Sequence, residues 1–344
     1  MADKTPIEWT DATWNPITGC RLASRGCANC YAARLAATRM KNHPSRAGLA
    51  RMNAAGVAKF NGKVRLNTEW LDQPLAWAKP RMIFVVAHGD LFYEAVPDAW
   101  IDQVMARAVL GYRHTYQILT KRADRMADYF AGDWAASVAA LLEDIKPSSP
   151  WNGSVHEARA MLSHGLPGHV WLGVSVEDQA AADERRLGLA LLARRGWRTW
   201  VSYEPALGAV DWSGWSFISW LVSGGESGAH AAPSHPDWHR AARDWCAVYG
   251  IPFLFKQWGE WIEADQLFDR SDRSDDVQVW RDGARWRPNR PLNFADAAWL
   301  GDFLGHPYEH HSDGSTYYRL SKSRSGRLLD GIEHNGFPNL GGRS

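Results

Sequence analysis

The sequence predicts an α/β protein: a parallel (β/α) barrel, partial or near-complete, of six to seven strands, followed by a C-terminal extension. Three observations predict it. Short β-rich apolar runs alternate with helical patterns along residues 1–265, and that alternation implies parallel strands with helices outside. Asp90, Lys121, Glu177, Glu204, Glu226 and Lys256 each stand at or just past the C-terminal end of an expected strand. In a barrel those ends converge on one mouth, whereas an open sheet would spread them along an edge. Beyond residue 265 the alternation stops and the chain turns polar.

The elements follow in order. "ATWNPITG" (12–19) is the first strand and "CYAARLAATRM" (30–40) its helix. "RMIFVVAHGDLF" (81–92) is the next strand. A helix follows in "VPDAWIDQVMARAVLG", with Asp98 as its N-cap and Ile101, Val104, Met105 and Ala108 at helical spacing. "HTYQILTK" (114–121) is a strand, and "RADRMADYF" and "WAASVAALLEDI" are helices. Residues 131–168 carry a Gly/Pro/Ser-rich insertion. "HVWLGVSVE" (169–177) is a strand before a helix closed by Gly196. "WRTWVSYEP" (197–205) and "SWLVSGGES" (219–227) are strands. "PDWHRAARDWCAVYG" is a helix ending at Gly250, and "IPFLFKQWG" the last strand. Residues 266–344 form the extension, with a hairpin at "VQVWRDGARWR". This is the TIM-type arrangement with one C-terminal addition.

Composition narrows the function classes. The 344 residues carry a formal net charge of +1, which argues against a protein coated in positive charge for duplex DNA. No apolar run is long enough to cross a bilayer, and the N-terminal stretch lacks the pattern of a signal peptide. A cytoplasmic protein is the expectation. The 20 tryptophans read first as core and surface packing, with a minority free to line a pocket for a flat substrate.

Three of the four cysteines sit in "ITGCRLASRGCANCYAARL", spaced C-x6-C-x2-C. Soft thiolates at such spacing are metal ligands. A structural zinc site wants a fourth ligand; His43 could supply one, while Cys246 reads as a buried apolar cysteine within a helix. Cys20, Cys27 and Cys30 without a fourth suit a [4Fe–4S] cluster with one open iron, since fully ligated clusters use four cysteines. Gly19 and Gly26 let the loop bend tightly around it.

The stretches "IEWTDATWNPITGC", "GCANCYA", "DLFYEAVPDAWID", "HTYQILTKRADRM", "WLGVSVEDQ", "SYEPALG", "LVSGGESG", "PFLFKQWGEW" and "GRLLDG", spread from residue 7 to about residue 331, together resemble the radical S-adenosylmethionine (radical SAM) enzymes. More closely, they resemble a phage-borne branch of the thymidine-hypermodification isomerase type. The commonest pattern of that superfamily is C-x3-C-x2-C with an aromatic before the third cysteine; here the first gap is six and Tyr31 follows the third cysteine.

The resemblance implies that Cys20, Cys27 and Cys30 hold the cluster and that the open iron binds S-adenosylmethionine. It implies that Gly89 and Asp90 face the methionine amino group and that Lys121 pairs with the carboxylate. Ser175 and Glu177 would reach ribose hydroxyls, and Gly224 and Gly225 would contact adenine. Lys121, Glu204 and Glu226 are the candidate catalytic side chains. A one-electron donor such as flavodoxin or ferredoxin would be a partner. The implied reaction is an aminomutase-like rearrangement of an amino-acid-modified thymidine in phage DNA, or of a modified nucleotide, in the host cytoplasm if the chain is phage-encoded.

In "YYRLSKSRSGR", Arg319, Lys322, Arg324 and Arg327 beside two tyrosines suit a phosphate backbone and a stacked base. Two other classes stay open: a zinc-stabilised nucleic-acid-binding protein without catalysis, and a metal-independent barrel hydrolase using Glu204 and Glu226 as acid and base.

Overall fold

The structure, a computed structural model, describes residues 5–145, 153–268, 279–281, 284–286 and 307–339. One seven-stranded parallel sheet carries the fold, in the order β1-β6-β7-β8-β9-β10-β11. Its strands are β1 (Ala12–Trp14), β6 (Met82–Val85), β7 (Thr115–Thr120), β8 (Val170–Ser175), β9 (Arg198–Tyr203), β10 (Leu221–Gly224) and β11 (Phe253–Gln257). Strands follow chain order and the two end strands do not pair, so this is a curled, partial (β/α) barrel of seven strands. Helices α2 (Asp98–Leu110), α3 (Ala123–Ala131), α4 (Trp134–Leu141), α5 (Val155–His164), α6 (Gln179–Arg194) and α7 (Pro236–Val248) fill the crossovers, as parallel pairing requires.

Several local expectations change. The strand expected over 81–92 stops at Val85, because Val86 adopts a positive φ of 58° and turns the chain out of the ladder. The stretch expected as one strand over 12–19 breaks at Pro16: β2 (Ile17–Thr18) leaves the sheet and pairs antiparallel with β5 (Arg65–Leu66). Between them lie α1 (Tyr31–Ala37) and a hairpin of β3 (Ala50–Met52) and β4 (Ala58–Phe60). Asp98 is the first residue of α2 rather than its cap; Pro97 holds the extended cap position. The region read as an insertion contains α4 and α5, the latter opened by a capping box of Ser154 and Glu157.

The chain divides into two compact units that interleave in sequence. The first comprises Met1–Val176, Ala180–Ser202 and Ser213–Trp220; the second comprises Glu177–Gln179, Tyr203–Trp212 and Leu221–Ser344. The boundary expected at 265 falls within α8 (Ala264–Phe268), in the second unit.

In the first unit, Trp9, Trp200 and Trp220 pack edge to face or tilted with centroids 5.2–6.2 Å apart, and Trp171 joins Trp220 at 6.0 Å. All four are at most 2 % exposed, so these indoles are core. In the second unit, β12 (Trp261–Glu263) pairs with β16 (Thr316–Arg319), which pairs with β15 (Tyr308–His310). The hairpin expected near 277–287 is present as β13 (Val279–Arg281) and β14 (Ala284–Trp286). Among the described residues no helix is long and apolar enough to cross a membrane.

Candidate functional site

The cysteine loop leaves β2 through Gly19, whose φ of +97° only glycine adopts readily. A Cβ there would lie 2.1 Å from the carbonyl oxygen of Lys63. Gly19 and Gly89 form an isolated parallel bridge, and a Cβ on Gly89 would meet the Gly19 carbonyl oxygen at 2.9 Å. Gly89 is thus required where the loop after β6 passes the cysteine loop. Residues Arg25–Cys27 make one 3-10 turn, the Ala23 N–H donates to Cys27 Sγ at 3.5 Å, and Cys30 stands at the N-cap position of α1 without a side-chain capping bond.

The three thiols differ electrostatically. Burial raises the Cys20 thiol well above its ordinary value, with Asp90 adding to the rise. Burial also raises Cys30, partly offset by the backbone N–H groups of Ala33 and Ala32. Cys27 is lowered: burial opposes its ionisation, but Lys121, the backbone of Ala23 and Ser24, and Arg122 together outweigh it. Cys27 in turn acts on both Cys20 and Cys30. Among the described residues, no three His, Cys, Asp or Glu side chains converge on one metal-sized point. The thiols share a loop and an electrostatic neighbourhood rather than a closed ligand sphere.

The cations come from the ends of β7 and from α6. The Lys121 ammonium is shielded from solvent, and burial pulls it down to about 8 while Cys27 opposes that fall. Arg122 donates to Asp90 Oδ2 at 3.2 Å and to the Arg21 carbonyl at 2.8 Å, and its guanidinium lies over the Tyr93 ring. Arg185 on α6 is fully buried and donates to the Ser175 carbonyl at 2.8 Å. Beside them is a cavity of about 440 Å³ whose lining includes Arg21, Tyr93, Glu94, Lys121, Arg122 and Arg185, within the size range of small-molecule sites.

Asp90 is committed to its own chain. Oδ1 accepts from the Thr120 hydroxyl at 2.6 Å and the Phe92 N–H at 3.0 Å, and Oδ2 from the Lys121 N–H and Arg122. Ser175 is buried at the end of β8. His43 has its Nδ1 turned to Ser45, 2.7 Å from Oγ and accepting the Ser45 N–H at 3.3 Å. Cys246 is fully buried, as expected, and burial pushes its thiol up to about 12.

The remaining candidates lie in the second unit. Glu204 accepts from Lys256 Nζ at 2.6 Å, a half-buried ion pair. Glu177 is buried and its carbonyl accepts from Leu207. Gly224 and Gly225 end β10 against the chain after β11: a Cβ on Gly225 would lie 1.9 Å from the Trp258 carbonyl oxygen. The buried Glu226 carboxylate accepts the Ala232 N–H at 2.8 Å. Arg319 donates to the carbonyls of Ala229 and Gly228, and Arg327 to that of Lys256. Lys322 and Arg324 are on the short helix α9 (Lys322–Ser325). Tyr317 and Tyr318 are at most 1 % exposed, which corrects the base-stacking expectation: both rings are core on β16.

Sequence reasoning missed Arg122 and Arg185. The pair "KR" at 121–122 carried a signal for the first. Nothing in "DERRLG" separates buried Arg185 from its neighbour Arg186.

A family model described as protein of unknown function (DUF5131) matches residues 4–338. No curated protein and no solved structure matches the chain.

Proposed function

Starting from the fact that this chain belongs to the DUF5131 family of proteins of unknown function, we propose that it is a radical SAM enzyme with a [4Fe–4S] cluster on Cys20, Cys27 and Cys30. One observation carries the reading: the three-thiol loop shares its electrostatic surroundings with Lys121 and Arg122, cations from the end of a barrel strand. The donor set fits the group in chemistry, because thiolates are the ligands of iron–sulfur clusters, and Lys121 and Arg122 favour the thiolate form at Cys27. When bound, the cluster supplies the electron that cleaves S-adenosylmethionine reductively.

The chain's own residues do the rest. Lys121 and Arg185 present positive charge to the thiol loop without competing as ligands. Asp90 and Arg122 brace the loop after β6 against the start of α3, which fixes Lys121 beside Cys27. The cavity beside them has a mixed lining, with Arg21, Lys121, Arg122 and Arg185 to pair with a carboxylate of a ligand and Glu94, Asp124, Asp128 and Glu184 to pair with an amino group. A one-electron donor such as flavodoxin or ferredoxin belongs to the proposal as the reductant.

The test is anaerobic reconstitution with iron and sulfide, read by metal analysis, visible absorbance and EPR, then assay for 5′-deoxyadenosine. Replacing Cys20, Cys27 or Cys30 by alanine should remove most of the iron, while Cys246→Ala should keep it. Full iron in Cys27→Ala, or zinc in place of iron after purification without oxygen, would end this reading.

A further inference from the structure

We infer that the segment from Ala12 to Thr68 carries a binding surface for single-stranded nucleic acid, with phosphates held by its arginines and lysines and a base stacked on Tyr31. The inference stands apart from the cluster and would survive its failure.

The charge distribution is the first observation. Between Asp11 and Glu69 the chain has ten Lys and Arg and no Asp or Glu. The whole chain holds 39 cations and 38 anions, so the remaining 29 cations share the rest of the chain with all 38 anions. A near-neutral total therefore hides a strongly basic segment. In three dimensions that segment is one self-closing excursion between β1 and β6: β2 and β5 pair to join its ends, and α1 packs on the β3–β4 hairpin.

The second observation is where the charges go. Arg21, Arg34, Arg39, Lys41, Arg51 and Lys63 are exposed, and among the described residues none of the six makes a salt bridge. Only a few of the ten are spent internally. Arg46 is buried against Ser45 and His88, and Arg65 donates to the carbonyls of Pro44 and Ala47. Protein surfaces usually intersperse both signs, since like charges repel. A segment with this many exposed, unneutralised cations matches a polyanion.

Two features favour nucleic acid over an acidic protein. Four of the six exposed cations are arginines, whose planar fork matches phosphate in a bidentate way. Tyr31 lies one helical turn from Arg34 on α1, 55 % exposed yet fixed: its hydroxyl donates to the Ala87 carbonyl at 2.5 Å and its ring meets the His88 ring edge-on at 6.2 Å. An anchored, exposed ring near a cation is a stacking platform for an unpaired base. A duplex would keep its bases from that ring, which points to a single strand.

The test uses the full chain and a labelled mixed-sequence single strand of about 16 nucleotides, followed by fluorescence anisotropy across a salt series. Affinity should fall with salt at about 0.7 logarithmic units per phosphate contact. The triple variant Arg34→Ala, Arg39→Ala, Arg51→Ala should lower that slope by about 2 and weaken binding at least tenfold. Tyr31→Ala should weaken binding about fivefold or more and leave the slope unchanged. Arg194→Ala with Arg195→Ala, exposed cations at the end of α6, should change neither. Far-UV circular dichroism checks that each variant folds. An unchanged slope in the triple variant overturns the inference. So does polyglutamate that displaces the strand as well as unlabelled strand does, for the segment would then read charge alone and its partner would be an acidic protein.

Discussion

Thr120 donates its hydroxyl to Asp90 at 2.6 Å, tying the last residue of β7 to the loop that leaves β6. Asp90 also accepts from Phe92, Lys121 and Arg122. Its carboxylate is therefore a clasp between two barrel connections. Asp90→Ala should destabilise the protein by about 3 kcal/mol, because it strands buried donors and removes the nearer of the two carboxylates paired with Arg122, leaving the longer ion pair to the exposed Glu94. Asp90→Asn should cost less, since its amide oxygen still accepts. Urea unfolding at neutral pH measures both, and an Asp90→Ala variant as stable as the parent would remove the clasp from the account.

His239 predicts a loss of stability in acid. It is fully buried, with Nδ1 2.7 Å from Ser223 Oγ and Nε2 2.6 Å from Ser234 Oγ. Burial, then the charges of His235 and Arg240, hold it down to about 3 from an ordinary 6.5. The unfolded chain takes up a proton there below pH 6.5 that the folded chain refuses, so this contribution is whole above pH 6.5 and shrinks as pH falls. The slope is about 1.4 kcal/mol per pH unit. His88, held to about 4 chiefly by burial, adds a second such proton. Between pH 7 and pH 5 the unfolding free energy should fall by one such share more in the parent than in His239→Gln, whatever the other titrating groups add to both.

Glu263 predicts the opposite sign. Burial, then repulsion by Asp265, raises it from 4.5 to about 7. Charging it costs the folded state more than the unfolded one, so stability is lost as pH rises from 4.5 through 7. Glu263→Gln, whose amide oxygen can still accept from the Asp265 N–H, should stabilise by about 2 kcal/mol at pH 8 and give nothing near pH 4.5. Equal gains at both pH values would mean that packing, not ionisation, sets the effect.

Gly225 predicts a steric limit. Its absent Cβ would lie 1.9 Å from the Trp258 carbonyl oxygen, a backbone atom that cannot swing aside. Gly225→Ala should cost about 3 kcal/mol or more. Gly165 has an extended backbone and nothing within 4 Å of a Cβ, so Gly165→Ala should stay within about 0.5 kcal/mol of the parent. Chemical denaturation of the two variants side by side is the check.

The strand and helix order was legible because parallel barrel strands are continuous apolar runs and their helices have clear periodicity. Boundaries were less so: Val86 ends β6 through a backbone conformation that valine does not advertise. The nearness of Lys121 to the cysteine loop was legible from its place at a strand end. What strand-end charges do was not, since a carboxylate reads alike whether it faces a ligand or, like Asp90 and Glu204, a partner in its own chain. Tyr317 and Tyr318 misled because alternation was hidden by two adjacent aromatics, both buried. The basic character of residues 12–68 was in plain view in the letters, but a whole-chain net charge averages it away.

The four packed indoles of the first unit also act as one chromophore. Trp9, Trp171, Trp200 and Trp220 form a chain of ring contacts no longer than 6.2 Å, so excitation absorbed by one passes to the others faster than it is emitted. Their transition dipoles are held at fixed tilts, including 33° between Trp200 and Trp220, and fixed tilts couple into a near-ultraviolet circular dichroism signal that separated tryptophans do not give. The pairs Trp134–Trp197 and Trp212–Trp245 add to that signal, and its loss would report the loosening of packed indoles rather than the melting of helical backbone.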